Sequence, residues 1–316
     1  MSQRPGAQRG AALLIAMIIV TLVATLAASM VWQQWRAVQV EAAERSRVQS
    51  AWILSGALDW ARLILKEDAR GSTDDDLGEP WAVPLAEARL STFLAADKNN
   101  TDDAPDAFLS GAITDAQSRY NLTNLVAQGA IDPAELAAFG RLCEAIGAPG
   151  DVAGRIANGL LAAQGAAGSA GIDPAAPLLP RSVSQLGWLG VDAETVRLLT
   201  PYVVLLPIAT PVNINTASRE VLVAAIDDLD LATAGRLIEV RQRTPFKTPE
   251  QIAHEFPGRP APASTRLGFS SNFFEVRGRL RLGDRVLEQT SLVRRSGLDV
   301  TVLQREQVSS LDQGTS

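Results

Sequence analysis

Two reactive residue types are almost missing from this chain of 316 residues, and their scarcity sets the first limits. There is one cysteine, Cys143, so no intrachain disulfide can form. A lone thiol of this kind is expected to be a small buried apolar side chain. There is one histidine, His254, in a short polar helix and expected at its surface. Without a second histidine or a reactive cysteine pattern, a zinc site or a Ser–His triad lacks parts. No Walker loop, paired-carboxylate signature or kinase motif occurs, and the glycines Gly165, Gly168 and Gly171 follow no strand that could feed a phosphate-cradling loop. The sequence therefore reads as no enzyme. Positive charge is also short. The net charge is −6, and removal of Arg4 and Arg9 with the first ten residues would take it to −8. An acidic body opposes broad affinity for nucleic acid.

What the chain does have is apolar residues, at 47%, with 20% charged, enough to fold and bury a core. No charge occurs from Ala11 to Gln34. As a helix, Ala11 to Trp32 would span about 33 Å, the thickness of a bilayer's hydrocarbon core. That is too long for the apolar core of a secretory signal. Trp32 and Trp35 stand where interfacial aromatics belong, and Arg4 and Arg9 favour a cytoplasmic N-terminus. Helical character continues without proline to about Arg70. Ala51, Leu54, Leu58, Ala61 and Leu65 recur at spacings of three and four and form one apolar stripe, with Glu41–Arg45 on the polar side. The expected parts are a leader (1–10), a transmembrane stretch (11–34) and an amphipathic stretch (35–70).

Farther on, "GSTDDDLGEPWAVP" (71–84) reads as an acidic, turn-rich linker. "ARLSTFLAA" and "DAFLSGAITDAQSRYNLTNL" read as strands around "DKNNTDDAP", within a first head segment of 71–121. From 122 to 262 the pattern is helical. Asp132 with Pro133, Asp192, Asn215 or Thr216, and Thr248 with Pro249 and Gln251 mark helix starts, while 162–180 reads as a small-residue loop. From 263 to 306 apolar and polar residues alternate around the turns "LGDR" and "RSGLD", as in a three-stranded antiparallel meander, and 307–316 reads as a disordered tail. The fold class expected is α+β: a long N-terminal helix packed on a small antiparallel sheet, with a large inserted helical domain.

The leader ending "RG" and followed by "AALLIAM" resembles that of type IV prepilin-like proteins, which implies cleavage after Gly10 by prepilin peptidase and Ala11 as the methylated first residue. Most such proteins have glutamate at mature position five; Ile15 stands there. One subclass lacks it, the K-type minor pseudopilins of type II secretion (general secretion pathway protein K). "DAQSRYNLTNLV" (115–126), "SVSQLGWLG", "LTPYVVLLP" and "PVNINTAS" are similar to that subclass in the same order. In "DAQSRYNLTNLV", Asn121, Thr123 and Asn124 can cap free backbone amides. The resemblance implies a single-pass inner-membrane protein with a periplasmic head at the tip of the pseudopilus. Its implied partners are the I- and J-type minor pseudopilins, the major pseudopilin filament, prepilin peptidase and inner-membrane lipid. The stripe from Ala51 to Leu65 would pack against partner helices. Ile15 cannot pair with an amine above it, and a block of about 140 residues would obstruct further stacking, so both suit a first subunit.

Two further readings attach to short segments. Asp97, Asn99, Thr101 and Asp103 alternate in "DKNNTDD" like the start of an oxygen cage for calcium, although Asp102 and Phe108 stand where a hand-like loop needs glycine and glutamate. No cofactor is required, and calcium is the one ion such a loop would take. A region at about 211–256 resembles the helix-hairpin-helix modules of DNA-uptake proteins, which gives the alternative function of a membrane-tethered DNA-binding protein. The matching hairpin "IDDLDLATA" has no glycine and carries Asp227, Asp228 and Asp230, which repel phosphate; Arg236, Arg241 and Arg243 follow it. No nucleic-acid partner is expected.

Overall fold

The computed structural model describes residues 9–91, 107–168, 176–255, 266–283 and 285–311. The chain divides into two units, Met1–Ser55 and Gly56–Ser316. A helix, α1, runs from Arg9 to Gly71. In the first unit it is the only described element. From Ala11 to Val40 all its side chains are exposed, and its most apolar window has a mean hydropathy of 2.7. It is the one described helix long and apolar enough to cross a membrane. Thr21, Thr25 and Ser29, the hydroxyls of this stretch up to Val31, return their protons to carbonyls of the preceding turn, Thr21 to Met17 at 3.0 Å and Ser29 to Leu26 at 2.8 Å.

In the second unit the last turns of α1 lie on a five-stranded antiparallel sheet. Its strands are β1 (Leu85–Arg89), β2 (Ala107–Asp115), β3 (Phe273–Leu282), β4 (Arg285–Ser296) and β5 (Asp299–Leu311), and their order across the sheet is their order in the chain. Alternation places Phe274, Val276, Val293 and Val300 on one face, where they close over Leu58, Ala61 and Leu65 of α1. Trp81 joins this core edge-on to Phe274, with ring centres 5.3 Å apart.

Between β2 and β3 the chain makes a helical block with its own core. Its helices are α2 (Pro133–Ala145), α3 (Val152–Gly168), α4 (Ala193–Leu199), α5 (Arg219–Ala225), α6 (Leu231–Arg243) and α7 (Pro249–His254). Asp132 caps α2 on the amides of Ala134 and Glu135, Asp192 caps α4, and Thr248 with Gln251 forms a capping box on α7. Phe139, Leu142, Ile156, Leu186, Leu222 and Leu237 are among the side chains fully enclosed in this core, with Tyr120 stacked on Phe139 at 5.5 Å.

Several expectations are corrected. The acidic segment 71–84 is partly buried: Trp81 and Asp75 are 1% exposed, because Trp81 packs on Phe274 and Asp75 is bonded by the buried Arg295. The first strand is Leu85–Arg89, earlier than "ARLSTFLAA" suggested, and 92–106 lie outside the described residues. "AFLSGAITD" (107–115) is a strand, but 116–118 and 122–125 are single 3-10 turns. The helix from Val152 was not expected, and it carries 162–168, read as loop, because apolar positions from Val152 to Ala163 face the core. Helix α5 starts at Arg219, capped by Ser218 through the amide of Val221, not at Asn215 or Thr216, whose side chains are bonded elsewhere. The block is also not purely helical. Tyr120–Asn121 pairs in parallel with Val203–Val204, and Val212–Asn213 with Leu267–Gly268. Residues 307–311, assigned to a disordered tail, extend β5 by pairing with Arg285 to Gln289 of β4.

Candidate functional site

Where the sheet meets the helical block, the two stretches "DAQSRYNLTNLV" and "PVNINTAS" come together around buried polar groups. Asp115, at the end of β2, accepts four hydrogen bonds: Gln117 N at 2.7 Å, Thr216 Oγ1 at 2.6 Å, Ser271 Oγ at 2.7 Å and Asn213 Nδ2 at 2.9 Å. Burial holds its carboxyl above the usual range, against the pull of those donors. Asn213 Nδ2 also donates to the carbonyl of Asp75 at 3.0 Å. Arg295 of β4 closes the cluster. Its Nη2 reaches both oxygens of Asp75 at 2.6 Å and its Nη1 reaches Asp68 of α1 at 2.8 Å. One guanidinium thereby ties α1, the 71–84 segment and β4, and it stacks 4.7 Å over the ring of Phe274.

A second set of amides fastens the 206–210 segment. Asn121 donates to Ile208 O at 2.8 Å and accepts from Leu206 N at 3.1 Å, while Asn124 donates to Thr210 O at 2.9 Å and accepts from Thr210 N at 3.0 Å. Thr123 Oγ1 donates to Leu206 O at 2.6 Å. Of these three residues only Asn121 acts as the expected cap, on Thr123 N; the other two bond across to the loop at 206–210. Asn215 grips the Phe246 backbone at both its N–H and C=O, and the buried Arg241 donates to Ile214 O.

The residues proposed from sequence fall in different places. Leu58, Ala61 and Leu65 are buried in the head's own core, so they cannot pack against another chain's helix; the sheet reaches them first. Leu54 is also buried, whereas Ala51 and Ile15 are exposed. Ala11 is exposed on α1, and Gly10 is helical beside it. Asp97, Asn99, Thr101 and Asp103 lie outside the described residues. In the region likened to helix-hairpin-helix modules, Asp228 takes a left-handed φ of +58°, where glycine would be relaxed. Asp227 pairs with Arg141 at 2.6 Å and Arg266 at 2.7 Å, and Asp230 caps α6 on Thr233 N at 2.7 Å. The turn's carboxylates are engaged within the fold, and Arg241 is turned inward, so neither offers the free backbone amides and outward cations that hold a phosphate. Arg295, Asp75 and Ser271 were not singled out from the sequence. Asp115 was quoted only within a motif, and its signal was a lone carboxylate directly after an alternating strand.

The same two stretches carry the likeness to known proteins. Family profiles described as "Type II secretion system (T2SS), protein K" match residues 118–208 and 212–270. The chain is 27% identical to type II secretion system protein K of Pseudomonas aeruginosa, over 88% of this chain and 86% of that one. It is 27% identical to the Pectobacterium carotovorum protein, over 95% and 96%, and 28% identical to that of Klebsiella pneumoniae, over 94% and 96%. Over nearly its whole length the chain is similar to type II secretion system protein K. Its fold agrees. The crystal structure of the GspK-GspI-GspJ complex from enterotoxigenic Escherichia coli superposes with a TM-score of 0.62, at 20% identity, over 85% of this chain and 99% of that one. Protein K is a structural component of secretion, and the one described helix long and apolar enough to span a bilayer fits a single pass of the inner membrane. Both profile matches lie in the helical block and its flanking polar joints, so the family signature is in the insertion rather than in α1.

Proposed function

We propose that the protein sits at the tip of the type II secretion pseudopilus, nucleates its assembly with I- and J-type pseudopilins, and so takes part in export across the outer membrane. The leader is removed after Gly10, the stretch from Ala11 stays in the inner membrane, and the head lies in the periplasm. The observation that carries this reading is the likeness to protein K over nearly the whole chain, together with a fold shared with a chain of the GspK-GspI-GspJ complex. Ile15, apolar and 58% exposed, agrees with it, since a first subunit needs no carboxylate for a neighbour's amine above.

Because Leu58, Ala61 and Leu65 are spent inside the head, partner helices meet another face of α1. On the part of α1 that belongs to the head, Trp60 and Leu63 stand three residues apart and are each more than half exposed. Sequencing the mature N-terminus tests the processing: Ala11 as first residue is expected, and an intact Met1 overturns it. Co-purification with I- and J-type pseudopilins tests the assembly. Trp60→Glu should abolish recovery of both while secretion stops, and recovery at the wild-type level would remove α1 from the interface.

A further inference from the structure

The joint between sheet and block gathers more negative charge than it can neutralise. Asp68 on α1, Asp75 and Glu79 in the segment after it, and Asp115 at the end of β2 approach one another, and oxygens of the first three lie within 4.8 Å. Facing them from β4 is a single buried cation, Arg295. The other groups packed against them are neutral: Gln117, Asn213, Thr216, Ser271 and Trp81, whose Nε1 donates to Glu79 at 2.7 Å. At the rim, Lys247 pairs with Asp74 at 3.2 Å from an exposed position, and Asp76 adds another carboxylate beside Gly78. One guanidinium against four carboxyls, of which Asp75 and Asp115 are buried, leaves negative charge that binding a proton relieves.

We infer that this cluster is a proton-operated latch: it binds a proton as the surrounding pH falls below neutral, and that proton tightens the joint between the sheet and the inserted helical block.

The geometry makes Asp75 the centre. It touches Arg295, accepts from Ser271 N at 2.6 Å, and through its own carbonyl holds Asn213, which also bonds Asp115 and Ser271. Burial pushes its carboxyl up to about 6, with Arg295 opposing and the Asp115 charge adding. Burial raises Asp68 and Glu79 as well. A carboxyl whose folded value lies above its unfolded one binds the proton more tightly when folded. Its stabilisation is complete below about 4 and is lost as pH rises through about 6. The joint is therefore firmer at pH 5 than at pH 7.5, the reverse of ordinary acid loosening.

The experiment is amide hydrogen exchange on the full chain in detergent, with the intrinsic pH dependence of exchange removed. The Ser271 amide, bonded to Asp75, and the Asn215 amide, bonded to Asn213, should be about tenfold more protected at pH 5 than at pH 7.5. Asp75→Asn, which mimics the protonated acid, should abolish that difference. Should this variant fail to fold, infrared spectroscopy of the wild type replaces it, with a protonated-carboxyl band expected to titrate near pH 6. Equal or weaker protection at pH 5, or no such band at pH 5, overturns the latch. The readout needs no partner chain, so it fails or holds independently of the tip assignment, which the N-terminal sequence and co-purification decide.

Discussion

The core of the helical block and the joint beneath it are both buried, and they are held in opposite ways. The block closes on Phe139, Leu142, Ile156 and Leu222, whose attraction has no direction and tolerates changes of shape. The joint closes on Asp115, Asn213, Ser271 and Arg295, each bonded at a set distance and angle. Apolar burial supplies most of what holds the block together. The directional bonds fix how it is seated on the sheet, since any other seating would leave buried donors and acceptors unpaired.

That contrast can be broken in three steps. Arg295→Met should have the largest effect, about 3–5 kcal/mol, because it leaves Asp68 and Asp75 buried without their cation. Denaturant unfolding should show the loss, and exchange protection should fall in β4 and at Ser271 together. Leu222→Ala should cost about 2–4 kcal/mol through its cavity. It should raise exchange in α5 and α2 while leaving β3 and β4 protected. If it loosens the sheet equally, the two regions form one cooperative unit and the comparison fails. Thr216→Val should cost about 1–2 kcal/mol by deleting one of four donors to Asp115, with the block's core unchanged. A neutral result would mean the remaining donors satisfy the carboxylate by themselves.

The apolar regions were the readable ones. The stretch from Ala11 announces itself by charge it lacks, and Asp132, Asp192 and Thr248 stand one residue before the helices they cap. Alternation from Phe273 to Val293 shows the strands and which face is buried. The joint was hidden because its partners are far apart in sequence: Arg295 meets Asp68 across 227 residues and Asp75 across 220. Locally, "DDDLGEPWAVP" has the composition of a solvated turn, and only distant groups turn it inward. The stripe on α1 was recognised, but periodicity states that a face is covered, not whether its own sheet or another chain covers it. The helix from Val152 was missed because alanine and glycine give a weak pattern.

The register of the sheet carries one more consequence. Asp115 of β2 stands directly opposite Phe274 of β3, so the chain departs for the block and comes home through a single doorway. Everything from 116 to 272 hangs from two adjacent threads, much as a pendant hangs from a clasp. Lineages can therefore enlarge, trim or exchange that pendant without re-spacing a single rung of the ladder that holds it.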